Sequence, residues 1–182
     1  MGAVILTTER LTLRPWREED AERLYALCRD PEIGPAAGWP VHKSVEESRE
    51  IIRSALSGEG IWAVTLRGDE LPVGCVGLKP TAAVEADEPE LGYWIGRAYW
   101  GKGYIPEACE AVLERCFTAL GADRVWCGHY EGNERSRRVI EKCGFSPVLS
   151  RVERVELLGE ERLCHYHALT AQRWRRRREK RL

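Results

Sequence analysis

The stretch Gly96-Arg-Ala-Tyr-Trp-Gly-Lys-Gly-Tyr104 could hold an anion. It lies between an apolar run, Leu91-Gly-Tyr-Trp-Ile95, and a segment with helical spacing. Strand, glycine loop and helix start together present backbone N–H groups and the positive end of a helix to phosphate. The string matches the triphosphate pattern G-x-x-x-x-G-K, then places Gly103 where Ser or Thr should hold magnesium. No second strand ending in Asp is visible to complete a triphosphatase site. The dinucleotide fingerprint also fails, because Pro106 stands where its third glycine belongs. What remains is a phosphate ligand that needs no metal, such as coenzyme A, or an ordinary turn whose glycines supply positive φ.

Other reactive side chains give weaker signals. Seven cysteines occur without a C-x-x-C pair, which argues against zinc ribbons and thioredoxin-type motifs. Several fall in apolar periodic segments and read as reduced core residues of a cytoplasmic protein. Cys127 and His129 share a strand face with no third member of a triad. His165 and His167 also share one, but two ligands are too few, so no metal is expected.

The chain of 182 residues, 43% hydrophobic, suits one compact domain with its own core. No apolar run approaches the ~20 residues that span a bilayer, so no membrane partner is expected. The start, Met1-Gly-Ala-Val-Ile-Leu6, lacks a basic leader, and Leu6 is not the Ser or Thr that myristoylation prefers. It reads as the lead-in to a first strand. The last ten residues hold seven Arg or Lys against one Glu, leaving −7 on the rest of a chain whose formal charge is −1. An acidic body suits a cationic acceptor such as an amine. The basic tail, 173–182, reads as a solvated end, and no nucleic-acid partner is expected.

The elements that must position these groups follow from periodicity. Arg10 to Arg14 alternates as a strand, and Glu18 to Cys28 has helical spacing. Ser44-Val-Glu-Glu47 is a capping box that should open a helix. Strands are expected near 61–66, 73–79 and 90–95, and then a long helix carrying Ile105, Ala108, Cys109, Val112, Cys116, Phe117 and Leu120. A strand at 124–129, a helix opened by Asn133, and strands near 147–157 and 162–169 complete the order. The segment from Glu90 to His129 is a strand-helix-strand crossover. It predicts a parallel pair inside a mostly antiparallel sheet.

Two motifs share a spacing with a known family. Glu90-Leu-Gly-Tyr-Trp-Ile-Gly96, Tyr99-Trp-Gly-Lys-Gly-Tyr104 and Glu107-Ala108 resemble the cofactor motif of the GCN5-related N-acetyltransferases. Asn133-Glu-Arg-Ser136, continuing to Glu141-Lys-Cys-Gly-Phe145, is similar to that family's second motif. Glu9 to Arg14 and Trp39 to Ser44 are similar to the branch that acetylates ribosomal-protein N-termini. The resemblance spans essentially the whole chain. It departs at Trp100 and Ile105, which stand where the family loop usually has Gln or Arg and Gly or Ala.

The resemblance implies one α/β domain over 1–172, with helices on both sheet faces and a central parallel pair that splays apart. It implies an acetyl-CoA-dependent N-acetyltransferase without metal. The amides of Gly101, Lys102, Gly103, Tyr104 and Ile105 would receive the pyrophosphate, with the Lys102 side chain a helper at most. The backbone of Tyr93, Trp94, Ile95 and Gly96 would pair with the pantetheine arm, and Asn133 would bond the arm from the other side. Acetyl transfer needs a neutral amine, a donor for the oxyanion and a partner for the thiolate. Glu90 is the leading base, with His42 and His129 behind it. A backbone N–H near Trp94 or Ile95 is the oxyanion donor. Ser136 would meet the coenzyme sulfur, with Tyr130 and Tyr104 as alternatives. Trp39, His42 and Glu90 would line the acceptor pocket, together with the turn at Gly159. The resemblance implies a protein or peptide N-terminus as the acceptor, with a small amine or an amino acid as the alternatives. A coenzyme A or RNA binder without turnover stays open, as does monomer against homodimer.

Overall fold

The structure is a computed structural model that describes residues 4–180. The chain's first three residues and the end of its basic run, Arg181 and Leu182, lie outside the described residues.

Among the described residues eight strands form one sheet in the order β1-β2-β3-β4-β5-β6-β8-β7. They are β1 (Leu6–Thr7), β2 (Leu11–Arg14), β3 (Ile61–Leu66), β4 (Pro72–Pro80), β5 (Pro89–Ile95), β6 (Arg124–Tyr130), β7 (Ser146–Val155) and β8 (Glu160–Thr170). The helices are α1 (Ala21–Cys28), α2 (Gly34–Ala37), α3 (Val45–Ile51), α4 (Tyr104–Thr118), α5 (Glu134–Lys142) and α6 (Ala171–Glu179). Every neighbouring pair is antiparallel except β5 and β6. That pair meets only at Glu90 opposite Trp126 and Leu91 opposite Cys127. Beyond Leu91 the two strands part, as the family resemblance implies.

Helices cover both faces. On one, α4 buries Ala108, Cys109, Val112, Leu113, Cys116 and Phe117 against Leu11, Leu13, Val64, Val76 and Leu91. Their spacing keeps one stripe of the helix on the sheet. Each fully buried Leu or Val of this kind contributes about 1.5–3 kcal/mol. Leu120, expected on this stripe, lies past the helix end and is exposed. On the other face, Leu24 and Cys28 of α1 and Ile52 after α3 pack with Trp16, Ala63 and Cys75. Ser44 caps α3, its hydroxyl accepting from the Glu47 amide at 3.0 Å.

Two helices were not legible as elements. α2 starts at Gly34-Pro35 and stops at Gly38, whose φ of +97° ends it in the left-handed region. α6 occupies most of the basic run. Thr170 caps it, Trp174 is buried against Phe117 with ring centroids 5.3 Å apart, and Arg178 pairs with Glu114 of α4 at 2.7 Å. From Ala171 to Glu179 the run is therefore a helix held on the core by Ala171 and Trp174, with most of its arginines exposed.

No helix of the described residues is long and apolar enough to cross a membrane. All seven cysteines are buried and free.

Candidate active site

Where β5 and β6 separate, a cleft of about 660 Å³ opens. Its walls are the exposed part of β5, the start of α4 with the preceding loop, the end of β6 and one side of α5.

The loop end is built to receive negative charge. Gly101 and Gly103 have φ of +72° and +77°, while no non-glycine residue among the described residues has positive φ. Lys102 between them therefore keeps the ordinary hand. That alternation turns successive N–H groups to one side and makes a nest. Among the described residues, none of the amides from 101 to 105 has a hydrogen-bond acceptor. Tyr104 and Ile105 belong to the first turn of α4, where N–H groups have no partner within the helix. Gly101, Gly103, Tyr104 and Ile105 line the cleft, but Lys102 does not. Its ammonium instead sits 5.6 Å from the Tyr99 ring.

The β4–β5 ladder decides which β5 groups face the gap. Gly96 donates to the Val73 carbonyl at 2.8 Å, and Thr81 to the Glu88 carbonyl at 2.9 Å. With Cys75 opposite Trp94 and Gly77 opposite Gly92, antiparallel alternation turns Gly92 and Trp94 toward β4. The N–H and C=O groups of Tyr93 and Ile95 point into the gap. Of the expected run, Trp94 and Gly96 thus have their amides engaged with β4. The Ile95 carbonyl is taken by the Trp100 indole N–H at 3.0 Å, which leaves the Ile95 N–H open.

Across the gap, Asn133 caps α5. Its side-chain oxygen accepts from the Ser136 amide at 3.2 Å, and its side-chain nitrogen donates to the Ala36 carbonyl at 3.2 Å. One of its two amide hydrogens is thus already engaged. Ser136 lines the cleft one turn on, its hydroxyl 3.0 Å from the Tyr93 hydroxyl. Tyr93 can also donate to the Ser136 carbonyl at 3.1 Å. Burial holds the Tyr93 phenol well above its ordinary pKa, so this hydroxyl stays protonated. Sequence reasoning missed the side chain of Tyr93. Period-two alternation points it away from Trp94, but nothing local indicates that α5 lies there.

Glu90 is buried at the root of the splay, where the parallel strands still pair. Its carboxylate accepts from the Thr81 hydroxyl at 2.8 Å and the Ala82 amide at 3.4 Å, and pairs with the Lys79 ammonium at 3.1 Å. A carboxylate offers about four lone-pair sites. Three are occupied, and one remains for a water or an amine in the cleft.

Farther along, Trp39 and Trp94 form an aromatic wall, edge to face at 5.9 Å, with Trp16 stacked behind Trp94 at 6.1 Å. His42 stands apart from the cleft. It is buried behind Trp39, ring centroids 5.3 Å apart, with Nδ1 2.8 Å from the Ser48 hydroxyl. The turn at Gly159 is likewise outside the lining. His129 does line it. Its Nδ1 lies 3.1 Å from the Tyr130 carbonyl, which favours the proton there and leaves Nε2 with a lone pair. Two cysteines reach the wall, but burial pushes the Cys75 thiol up to about 12 and the Cys164 thiol up to about 11. Neither is a thiolate at neutral pH. Among the described residues no group of three or more His, Cys, Asp or Glu could hold a metal ion.

Burial lowers the pKa of His42, His129 and His167 below the ordinary value. The folded chain keeps them neutral, so below about pH 6.5 the unfolded chain binds more protons. Their contribution is whole above that pH and is lost as pH falls toward the folded values. Tm should be lower at pH 5.5 than at pH 7.5, and His167→Gln should narrow the difference. Equal Tm values at both pH values would contradict this.

Residues 10–146 match the family described as "Acetyltransferase (GNAT) domain". Over 146 residues the chain is 32% identical to "Uncharacterized N-acetyltransferase YoaA" of Bacillus subtilis, covering 78% of this chain and 82% of that one. It is 29% identical to "Putative ribosomal N-acetyltransferase YdaF" of the same organism, covering 91% and 94%. A solved GNAT-family acetyltransferase from Bacillus anthracis superposes with a TM-score of 0.81 at 22% identity, over 93% and 99%. The chain belongs to the GCN5-related N-acetyltransferase family, whose members use acetyl-CoA. It is an N-acetyltransferase.

Proposed function

We propose that this chain acetylates the amine of a protein or peptide N-terminus, with the cleft between β5 and β6 holding the donor. The observation that carries the donor site is the open gap beside five amides without acceptors. In this reading the 101–105 nest grips the diphosphate of acetyl-CoA. The pantetheine arm runs along the free N–H and C=O groups of Tyr93, with Asn133 opposite. The amine nitrogen attacks the thioester carbonyl while the Ile95 N–H takes the developing oxyanion. The C–N bond forms, the C–S bond breaks, and the amine proton passes to Glu90 through water. Ser136, oriented by Tyr93, donates a hydrogen bond to the leaving thiolate. A serine hydroxyl is a weaker acid than a thiol, so it need not give up its proton.

Trp39 and Trp94 would hold the acceptor beside Glu90. The word "ribosomal" in the name of the Bacillus subtilis relative YdaF supports a ribosomal acceptor. The test is release of free thiol from acetyl-CoA, followed with a thiol dye over a panel of N-terminal peptides, small amines and amino acids. Turnover is expected with peptides. Turnover confined to small amines would overturn the acceptor assignment, and tight coenzyme A binding without any turnover would mark a binder. Ser136→Ala should lower kcat roughly tenfold, the loss of one hydrogen bond to a charged acceptor, with coenzyme A affinity nearly unchanged. Equal losses in kcat and affinity would remove its proposed role.

A further inference from the structure

Arg10 lies in the turn between β1 and β2 and is no part of the cleft wall. It reaches the phosphate loop from behind. Its Nη1 donates to the Lys102 carbonyl at 3.0 Å. Its Nε donates to Glu107 Oε2 at 2.7 Å, and its own amide donates to Glu107 Oε1 at 2.9 Å. The Thr8 hydroxyl donates to that same oxygen at 2.6 Å. The guanidinium carbon sits 4.8 Å from the centre of the Tyr104 ring. One turn residue is thus tied both to the first turn of α4 and to the middle of the loop.

The bond to Lys102 matters because of peptide geometry. A trans peptide is planar, with its C=O and the following N–H pointing in opposite directions. A Lys102 carbonyl drawn back by Arg10 aims the Gly103 N–H forward, toward the cleft. Without that tether the peptide can rotate at little cost, since Gly103 accepts either hand of φ. The amide would then leave the nest.

The arrangement contributes little to stability. The two side chains are 44% and 18% exposed, and ion pairs near the surface contribute about 0–1 kcal/mol. Charge alone does not account for it either, because a lysine could supply the charge. Bridging Glu107 and a carbonyl at once takes the planar fork of arginine.

We propose that Arg10 is a positioning residue for the donor: by holding the Lys102 carbonyl it fixes the loop amide that meets the diphosphate. The inference rests on reading the 101–105 nest as the diphosphate grip. The test compares two ligands by calorimetry, coenzyme A and pantetheine, which lacks the diphosphate. The proteins are the unaltered chain, Arg10→Ala and Arg10→Lys, with Tm measured for each. Both substitutions should weaken coenzyme A roughly tenfold, the worth of one charge-assisted hydrogen bond. Pantetheine affinity should stay unchanged and Tm nearly so. Parallel losses for both ligands would show a merely structural role, and unchanged coenzyme A affinity would show none. Full affinity in Arg10→Lys would reduce the role to charge and overturn the proposal. If the unaltered chain binds both ligands equally well, the diphosphate reading itself fails, a different result from any of these.

Discussion

Replacing both loop glycines, Gly101→Ala with Gly103→Ala, is expected to weaken coenzyme A binding by roughly 30- to 1000-fold. Both residues sit at positive φ, where an L side chain costs about 1–2 kcal/mol per residue. Binding needs that conformation, so any strain the substituted loop escapes in the free protein returns when the diphosphate binds. Two such costs total about 2–4 kcal/mol, and each 1.4 kcal/mol is tenfold in affinity. Steric collision does not confuse the test. A Cβ at Gly101 would meet no atom within 4 Å, and one at Gly103 only Arg10 at 3.5 Å. Fold stability should therefore change little. Isothermal calorimetry and a melting curve on the same sample separate the two effects. Retained affinity would mean that the loop conformation is not what binds the donor.

Glu90→Gln is expected to lower kcat roughly 100-fold at neutral pH, with coenzyme A affinity unchanged. General-base catalysis contributes about 10²–10⁴-fold. Glutamine keeps the shape of the side chain and can still accept from Thr81. It leaves Lys79 without its partner, but that side chain is 64% exposed and water can replace the pair. A variant with full kcat would move the role to His129, which lines the cleft with an open Nε2. His129→Gln then becomes the informative variant, and with His129 as the base in that case it should lower kcat roughly 100-fold.

Much of the site was legible because it is local in sequence. The apolar run of β5, the glycines at 101 and 103, and the amphipathic stripe of α4 follow one another directly. Each carries its own signal: alternation, punctuation, and a three-to-four residue period. The parallel pair follows from the crossover and the splay from the family resemblance; both appear in the register that ends at Leu91. What stayed hidden depends on contacts between distant segments. His42 carries no local sign that Ser48 and Trp39 enclose it. Tyr93 meets Ser136 only because α5 folds over β5. α6 has a single large apolar residue, Trp174, amid arginines, so no hydrophobic period marks it. Its order depends on Phe117 and on the α4 carboxylates that its arginines find. Strand alternation could have identified Ile95 over Trp94 as the amide facing the gap, once β4 was known to pair with β5.

The most direct measurement is a titration of ¹⁵N-labelled protein with coenzyme A, following backbone amide resonances. The amides of Gly101, Lys102, Gly103, Tyr104 and Ile105 should shift strongly, and their exchange with solvent should slow as they gain acceptors. Saturable binding that leaves those five resonances in place, or no binding at all, would contradict the anion nest beside the parted strands.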